Sequence, residues 1–171
     1  MKEIEEVNKI KRILLILIII GLILVIFLIT KRKGLLIPDY ASGVVDTNAI
    51  KEDITLKKNY SEGSGNVNLK FSDVVEIDKA KKSAKLYFKN PGTSSATIEV
   101  YLIIKQGKEE IVLGKSDMIP AGYAIYNMNL DNVSNLQVGG YNGILKTVYY
   151  NATSNAKEMI DSVINVKIEV K

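Results

Sequence analysis

The sequence predicts an all-β domain, a single antiparallel sandwich of about seven strands, preceded by one N-terminal transmembrane helix. Three observations carry that prediction. Residues 13–29 (ILLILIIIGLILVIFLI) form one uncharged apolar run without Pro. After residue 66 the hydrophobic pattern changes to a period of two. Clusters of turn-forming residues then recur about every ten residues to the end of the chain.

As a helix rising ~1.5 Å per residue, the apolar run spans roughly 26 Å, close to a bilayer core of about 30 Å. Thr30 extends it by one residue. Lys11 and Arg12 precede it and Lys31, Arg32 and Lys33 follow, placed as headgroup anchors. The expected organisation is a short cytoplasmic tail (1–12), a transmembrane signal-anchor helix (13–30), a spacer (31–65) and the β-sandwich domain (66–171). The run is too long for the core of a cleaved signal peptide, and no small-x-small site follows it. A lipoprotein anchor needs a Cys, and the chain has none. A pseudopilin leader needs an amphipathic helix after the run, where Pro38 and turn formers stand instead. The cations on the two sides nearly balance. Orientation therefore rests on the rule that long domains translocate largely regardless of charge, which puts the carboxyl-terminal domain outside the cell membrane.

Composition narrows the chemistry. Among 171 residues there is no Cys, His or Trp. That removes the commonest general base, the usual soft metal ligands and every thiol nucleophile. The net charge is +4, but outside the membrane flanks Lys and Glu are interspersed, with no basic stripe of the kind nucleic acid requires. The residues beyond the span number about 140, enough for one domain with its own core.

In order along the chain, Pro38-Asp39 ends any helix after the span. Residues 48–58 fit a short helix or one strand equally, and 59–66 (NYSEGSGN) is a flexible break. Val67, Leu69 and Phe71 alternate with Asn68, Lys70 and Ser72, and residues 74–77 continue that strand. Ala84, Leu86 and Phe88 alternate with Lys85, Tyr87 and Lys89, and residues 90–95 (NPGTSS) close it. Ile98, Val100, Leu102 and Ile104 form the longest apolar face; Gln106-Gly107-Lys108 turns back into Ile111-Val112-Leu113. A Pro120-Ala121-Gly122 turn leads to a strand over 123–130, 131–137 crosses over, and 141–150 is a further strand. Residues 151–157 are its turn, and Ile164, Val166, Ile168 and Val170 mark the last strand.

Leu136-Gln137-Val138-Gly139-Gly140-Tyr141 fits L-x-x-G-x-Y, which resembles the tyrosine corner of immunoglobulin-like domains. Residues 85–100 (KLYFKNPGTSSATIEV) resemble the second-strand, turn, third-strand unit of bacterial surface and adhesion-type immunoglobulin-like modules, and the 119–122 turn is similar to that class. The resemblance covers residues 66–171 and implies an immunoglobulin-like sandwich. It implies little about function. The Cys pair and core Trp of antibody domains are absent, which excludes that branch.

No motif assigns catalysis. Gly114-Lys115-Ser116 ends like a phosphate-binding loop, but Glu109 stands where that loop needs Gly and Pro120 interrupts the helix that must follow. A Ser/Lys dyad lacks a placed Ser beyond the span. Asp73, Glu76 and Asp78 lack calcium-loop spacing and read as edge-strand charges. Tyr101, Tyr123, Tyr126, Tyr149 and Tyr150 read as strand packing before recognition. Asn59, Asn132 and Asn151 each begin a glycosylation triplet of the kind an Asn-rich chain contains by chance.

The expectation is a non-enzymatic binding or structural module of the cell envelope, with no cofactor, no metal and no catalytic residue. Its partners are the membrane, crossed once, and another envelope protein or surface polymer, with no nucleic acid. The alternative is an accessory subunit of a larger membrane assembly such as a secretion or conjugation apparatus.

Overall fold

The computed structural model describes residues 11, 14–23, 35–52, 61–62, 69–107 and 109–171. It divides into two compact units, Met1–Leu36 and Ile37–Lys171. In the first, residues 14–23 are helical and their Leu and Ile side chains are exposed. Among the described residues no helix is long and apolar enough to cross a membrane. Of the span expected over 13–30, residues 13 and 24–30 lie outside the described residues.

The second unit is mostly β, as the alternating pattern predicts. Its strands are β1 (Ala49–Lys51), β2 (Ser61–Glu62), β3 (Lys70–Phe71), β4 (Val74–Asp78), β5 (Ser83–Lys89), β6 (Ala96–Gln106), β7 (Glu109–Lys115), β8 (Tyr123–Asn129), β9 (Gly139–Asn151) and β10 (Lys157–Val170). They form one curled sheet in the order β1-β8-β5-β4-β10-β9-β6-β7, with β3 also on β5 and β2 on β3. The expected pair of separate antiparallel sheets is thus a single hydrogen-bonded sheet. The cause is β4, which uses both edges. Glu76–Asp78 pairs antiparallel with β5, while Val74–Ile77 pairs parallel with Lys167–Val170 of β10.

β5 and β6 follow one another in sequence but do not pair. The Asn90-Pro91-Gly92 turn carries the chain from the β8-β5-β4 half to the β10-β9-β6-β7 half. Asn90 is fully buried there, donating from Nδ2 to the carbonyls of Ala96 and Ile119 at 2.9 Å each. Gly122, at φ +81°, sits in the Pro120–Tyr123 turn, where the Tyr123 amide donates to the Pro120 carbonyl at 3.1 Å.

One core serves both halves. Ala84, Leu86 and Phe88 of β5 and Ile125 of β8 share it with Ile98, Val100, Leu102 and Ile104 of β6, Leu145 of β9 and Val166, Ile168 and Val170 of β10. Burying each large apolar side chain stabilises the fold by roughly 1.5–3 kcal/mol. The sheet's backbones also approach closely at Gly143, where a Cβ would collide with the Ile168 side chain and lie 2.9 Å from the Ile103 carbonyl oxygen.

Three boundaries differ from expectation. The compact unit begins at Ile37, so residues 37–52, within the stretch expected as spacer, belong to it, and β1, paired with β8, takes the strand alternative that was open for residues 48–58. Ten strands form among the described residues, because β1 and β2 are short pieces without a legible period and the strand expected through 67–77 is divided into β3 and β4. β10 starts at Lys157, within the stretch expected as a turn; only residues 152–154 and 155 lie between the strand ends and the Ala156 bridge.

Candidate functional site

Every residue of β6 from Thr97 to Ile104 is buried, so both faces of this strand are covered. The even-numbered residues face the core. Glu99, Tyr101 and Ile103 face the other side, with Ile144, Val148 and Tyr150 of β9. Residues 37–46 run across that second face. They begin at the β9–β10 hairpin, where Lys157 donates to the Asp39 carbonyl at 2.8 Å and Ala41 to the Asn155 carbonyl at 2.9 Å. They end at Met118, which donates to the Val44 carbonyl at 3.0 Å and accepts from Asp46 at 2.9 Å.

Under this strap lies a buried carboxylate. Glu99, 1% exposed, accepts from the Ser42 amide at 3.2 Å and from the Tyr101 hydroxyl at 3.3 Å. The Tyr150 hydroxyl lies 3.5 Å from Glu99 and 3.3 Å from the Pro38 carbonyl oxygen. Burial, then the Glu99 charge, raises both phenols: Tyr150 is pushed up to about 12, and Tyr101 is raised above its ordinary value. Both phenols therefore stay protonated at neutral pH, and the Tyr101 hydroxyl donates to the carboxylate.

A second cluster repeats the chemistry beside β1. Glu52 accepts from Tyr87 at 3.0 Å, from Lys89 at 2.8 Å and from Tyr126. Burial raises the Glu52 carboxyl, but the bonds from Lys89, Tyr126 and Tyr87 together outweigh it and hold the group below the usual range. Asp46, also buried, accepts from the amides of Asn48 at 2.7 Å and Asp117 at 2.8 Å. All three acids tie residues 37–52 onto the strands.

The residues singled out in the sequence separate as follows. Tyr101, Tyr149 and Tyr150 are buried, and Tyr126 bonds Glu52, so these tyrosines build the interior and its covers. Gly114 and Lys115 end β7. A Cβ at Gly114 would lie 2.5 Å from the Asn129 carbonyl oxygen, which explains Gly at that position. Ser116 is buried and accepts from the Val100 amide at 2.9 Å. Glu76 pairs with Lys171 at 2.9 Å, and Asp78 with Lys81 at 3.1 Å. Both carboxyls are lowered, Glu76 by the Lys171 bond and Asp78 by the Lys81 amide and side chain. They edge a groove of about 550 Å³ that also includes Ser83 and Lys85. Among the described residues no group of three or more acidic side chains stands close enough to hold a metal ion. Asn132 and Asn151 are exposed, whereas Asn59 lies outside the described residues.

Tyr141 makes the contact its motif implies. Its hydroxyl donates to the Gln137 carbonyl and accepts from the Gln137 amide, both at 3.0 Å, four residues upstream. Sequence reasoning missed the Glu99 and Glu52 clusters. The only signal was a Glu among the apolar residues 98–104 of β6, where alternation assigns it to a solvent face.

The arrangement defines a mostly β domain with carboxylates bonded inside it by its own backbone and side chains. No protein-family model matches the chain, and no curated protein matches it. A solved structure similar to it is that of AggA, the major subunit of aggregative adherence fimbriae type I from Escherichia coli. The identity is 9% and the TM-score 0.32, over 67% of this chain and 100% of that one. A likeness of that size carries no argument for this chain.

Proposed function

We propose that this chain is a non-enzymatic binding or structural module, an immunoglobulin-like sandwich held outside the cytoplasmic membrane by an uncleaved helix over 13–30. One observation carries the reading. Three carboxylates withdrawn from solvent are engaged in holding the fold together: Glu99, Glu52 and Asp46 accept bonds from the backbone, from tyrosines and from a lysine of the same chain. The remaining surface is strand edges and loops, through which the module meets another envelope protein or a surface polymer.

The immunoglobulin-like assignment draws on the chain crossing between halves after β5, on β4 clasping both halves, and on the Tyr141–Gln137 corner. The anchor draws on the unbroken apolar sequence and its cationic flanks. Since the chain lacks Cys, single-cysteine labelling tests the topology. A membrane-impermeant maleimide added to intact cells reacts with Asn132→Cys and spares Lys9→Cys until the cells are permeabilised. The reverse pattern, or protection of both, refutes display outside the membrane.

A further inference from the structure

The β9–β10 hairpin ends in an exposed tip. The Asn151 amide donates to the Ala156 carbonyl and the Asn155 amide to the Asn151 carbonyl, each at 2.9 Å, which closes the loop between them. The Asn151 side chain caps that loop. Its Oδ1 accepts from the amides of Thr153 and Ser154, both at 3.0 Å. The carboxamide is thus fixed by its oxygen, while its Nδ2 and the Thr153 hydroxyl bond no described residue. Residues 151–154 are all exposed.

Asn151-Ala152-Thr153 is one of three Asn-x-Ser/Thr triplets in the chain. A transferase takes such a triplet into its cleft as a unit, so its three residues must be reachable together. The structure separates the two triplets among the described residues. In 132–134 the middle residue, Val133, is fully buried in the core. The Asn132 amide donates to the Leu113 carbonyl at 3.2 Å, and its Nδ2 to the Val112 carbonyl at 2.9 Å. Presenting that triplet draws Val133 out of the core. Presenting 151–153 moves no core side chain.

We propose that Asn151 is an N-glycosylation site, modified by a membrane-bound transferase whose donor is a lipid-linked oligosaccharide. The inference rests on the reading that this domain lies outside the membrane. In the transfer, Asn151 Nδ2 bonds to the anomeric carbon of the sugar. The bond from that carbon to the lipid phosphate breaks, the phosphate leaves with the electron pair, and one Nδ2 proton passes to a base of the transferase. Oδ1 is untouched, so both bonds that shape the loop survive in the product. The glycan is a bulky, hydrated group on the hairpin tip, beside the points where Lys157 and Asn155 hold residues 39–41.

The test is mass spectrometry of tryptic peptides from the full chain, purified from the membranes of the cells that naturally make it. The peptide 147–157 exceeds its sequence mass by whole sugar residues, fragmentation places them on Asn151, and the peptide 116–146, which holds Asn132, has its sequence mass. Asn151→Asp keeps an acceptor oxygen for the two capping amides and loses the added mass. Thr153→Ala keeps Asn151 itself and loses it as well. An unmodified 147–157 peptide overturns the proposal, as do sugar retained in either variant and equal modification of Asn132. Maleimide labelling of Asn132→Cys in the same cells separates the causes of failure. Labelling from outside with Asn151 bare refutes the glycosylation alone, whereas a protected Cys refutes the display outside the membrane together with it.

Discussion

Replacing Tyr141 by Phe isolates the corner on which the start of β9 turns. The ring stays, and with it the packing of Tyr141 against the core. What goes is a hydroxyl that donates to and accepts from the backbone of Gln137, each at 3.0 Å. A net intramolecular hydrogen bond contributes about 0.5–1.5 kcal/mol. Two of them give about 1–3 kcal/mol. Gln137 is exposed, so water re-solvates the freed backbone groups, and the loss falls in the lower half, about 1–2 kcal/mol. For a domain of this size that is a fall in Tm of roughly 3–6 °C. The assay is urea unfolding of the Ile37–Lys171 unit followed by tyrosine circular dichroism, with Tyr40→Phe as control because Tyr40 is 65% exposed. If Tyr141→Phe costs no more than the control, the hydroxyl holds nothing and the corner is only a strand tyrosine.

Other perturbations follow from the same contacts. Gly143→Ala forces a Cβ into the Ile168 side chain and the Ile103 carbonyl, and costs about 1–3 kcal/mol in urea unfolding; adding Ile168→Val recovers part of it. Glu52 titrates below its ordinary range in the folded state, so its stabilisation is present above the unfolded carboxyl pKa and is lost as pH falls through the folded value. Glu52→Gln flattens that acid limb in melting curves recorded against pH. Tyr150 is raised to about 12, so the folded state holds its proton where the unfolded chain releases it. Stability is full below the ordinary tyrosine pKa and falls as pH rises from about 10 toward 12. Tyr150→Phe reduces that alkaline slope, and an unchanged slope contradicts the burial argument.

Much of the strand layout was readable because burial on one face leaves a period of two. Ala84, Leu86 and Phe88 alternate and lie in the core, as do Val166, Ile168 and Val170. Tyr141 was readable because a short local motif specifies a local bond. The first half of β10 was not, since it lies beyond the core: Ile160 and Val163 point to solvent and no alternation marks the strand. β6 was legible as a strand, but not as one covered on both faces. The cover comes from residues 37–46, whose Pro, Gly and Ser content reads as linker, and whose role is set by long-range bonds to Glu99, Asn155 and Met118. The Glu99 and Glu52 clusters join residues far apart in sequence, and no local pattern announces such a meeting. The parallel β4–β10 pair, which merges two sheets into one, is likewise a matter of register between chain segments more than ninety residues apart, of which Lys171–Glu76 at |i−j| = 95 is the clearest case.

The account stands on a β domain that closes around its own core in water, independent of the apolar segment before it. Thermal unfolding of residues 37–171 produced alone, followed by far-ultraviolet circular dichroism, tests this most directly. The predicted result is a strand-type spectrum and one cooperative transition. A helical spectrum, or a gradual melt without a transition, contradicts it.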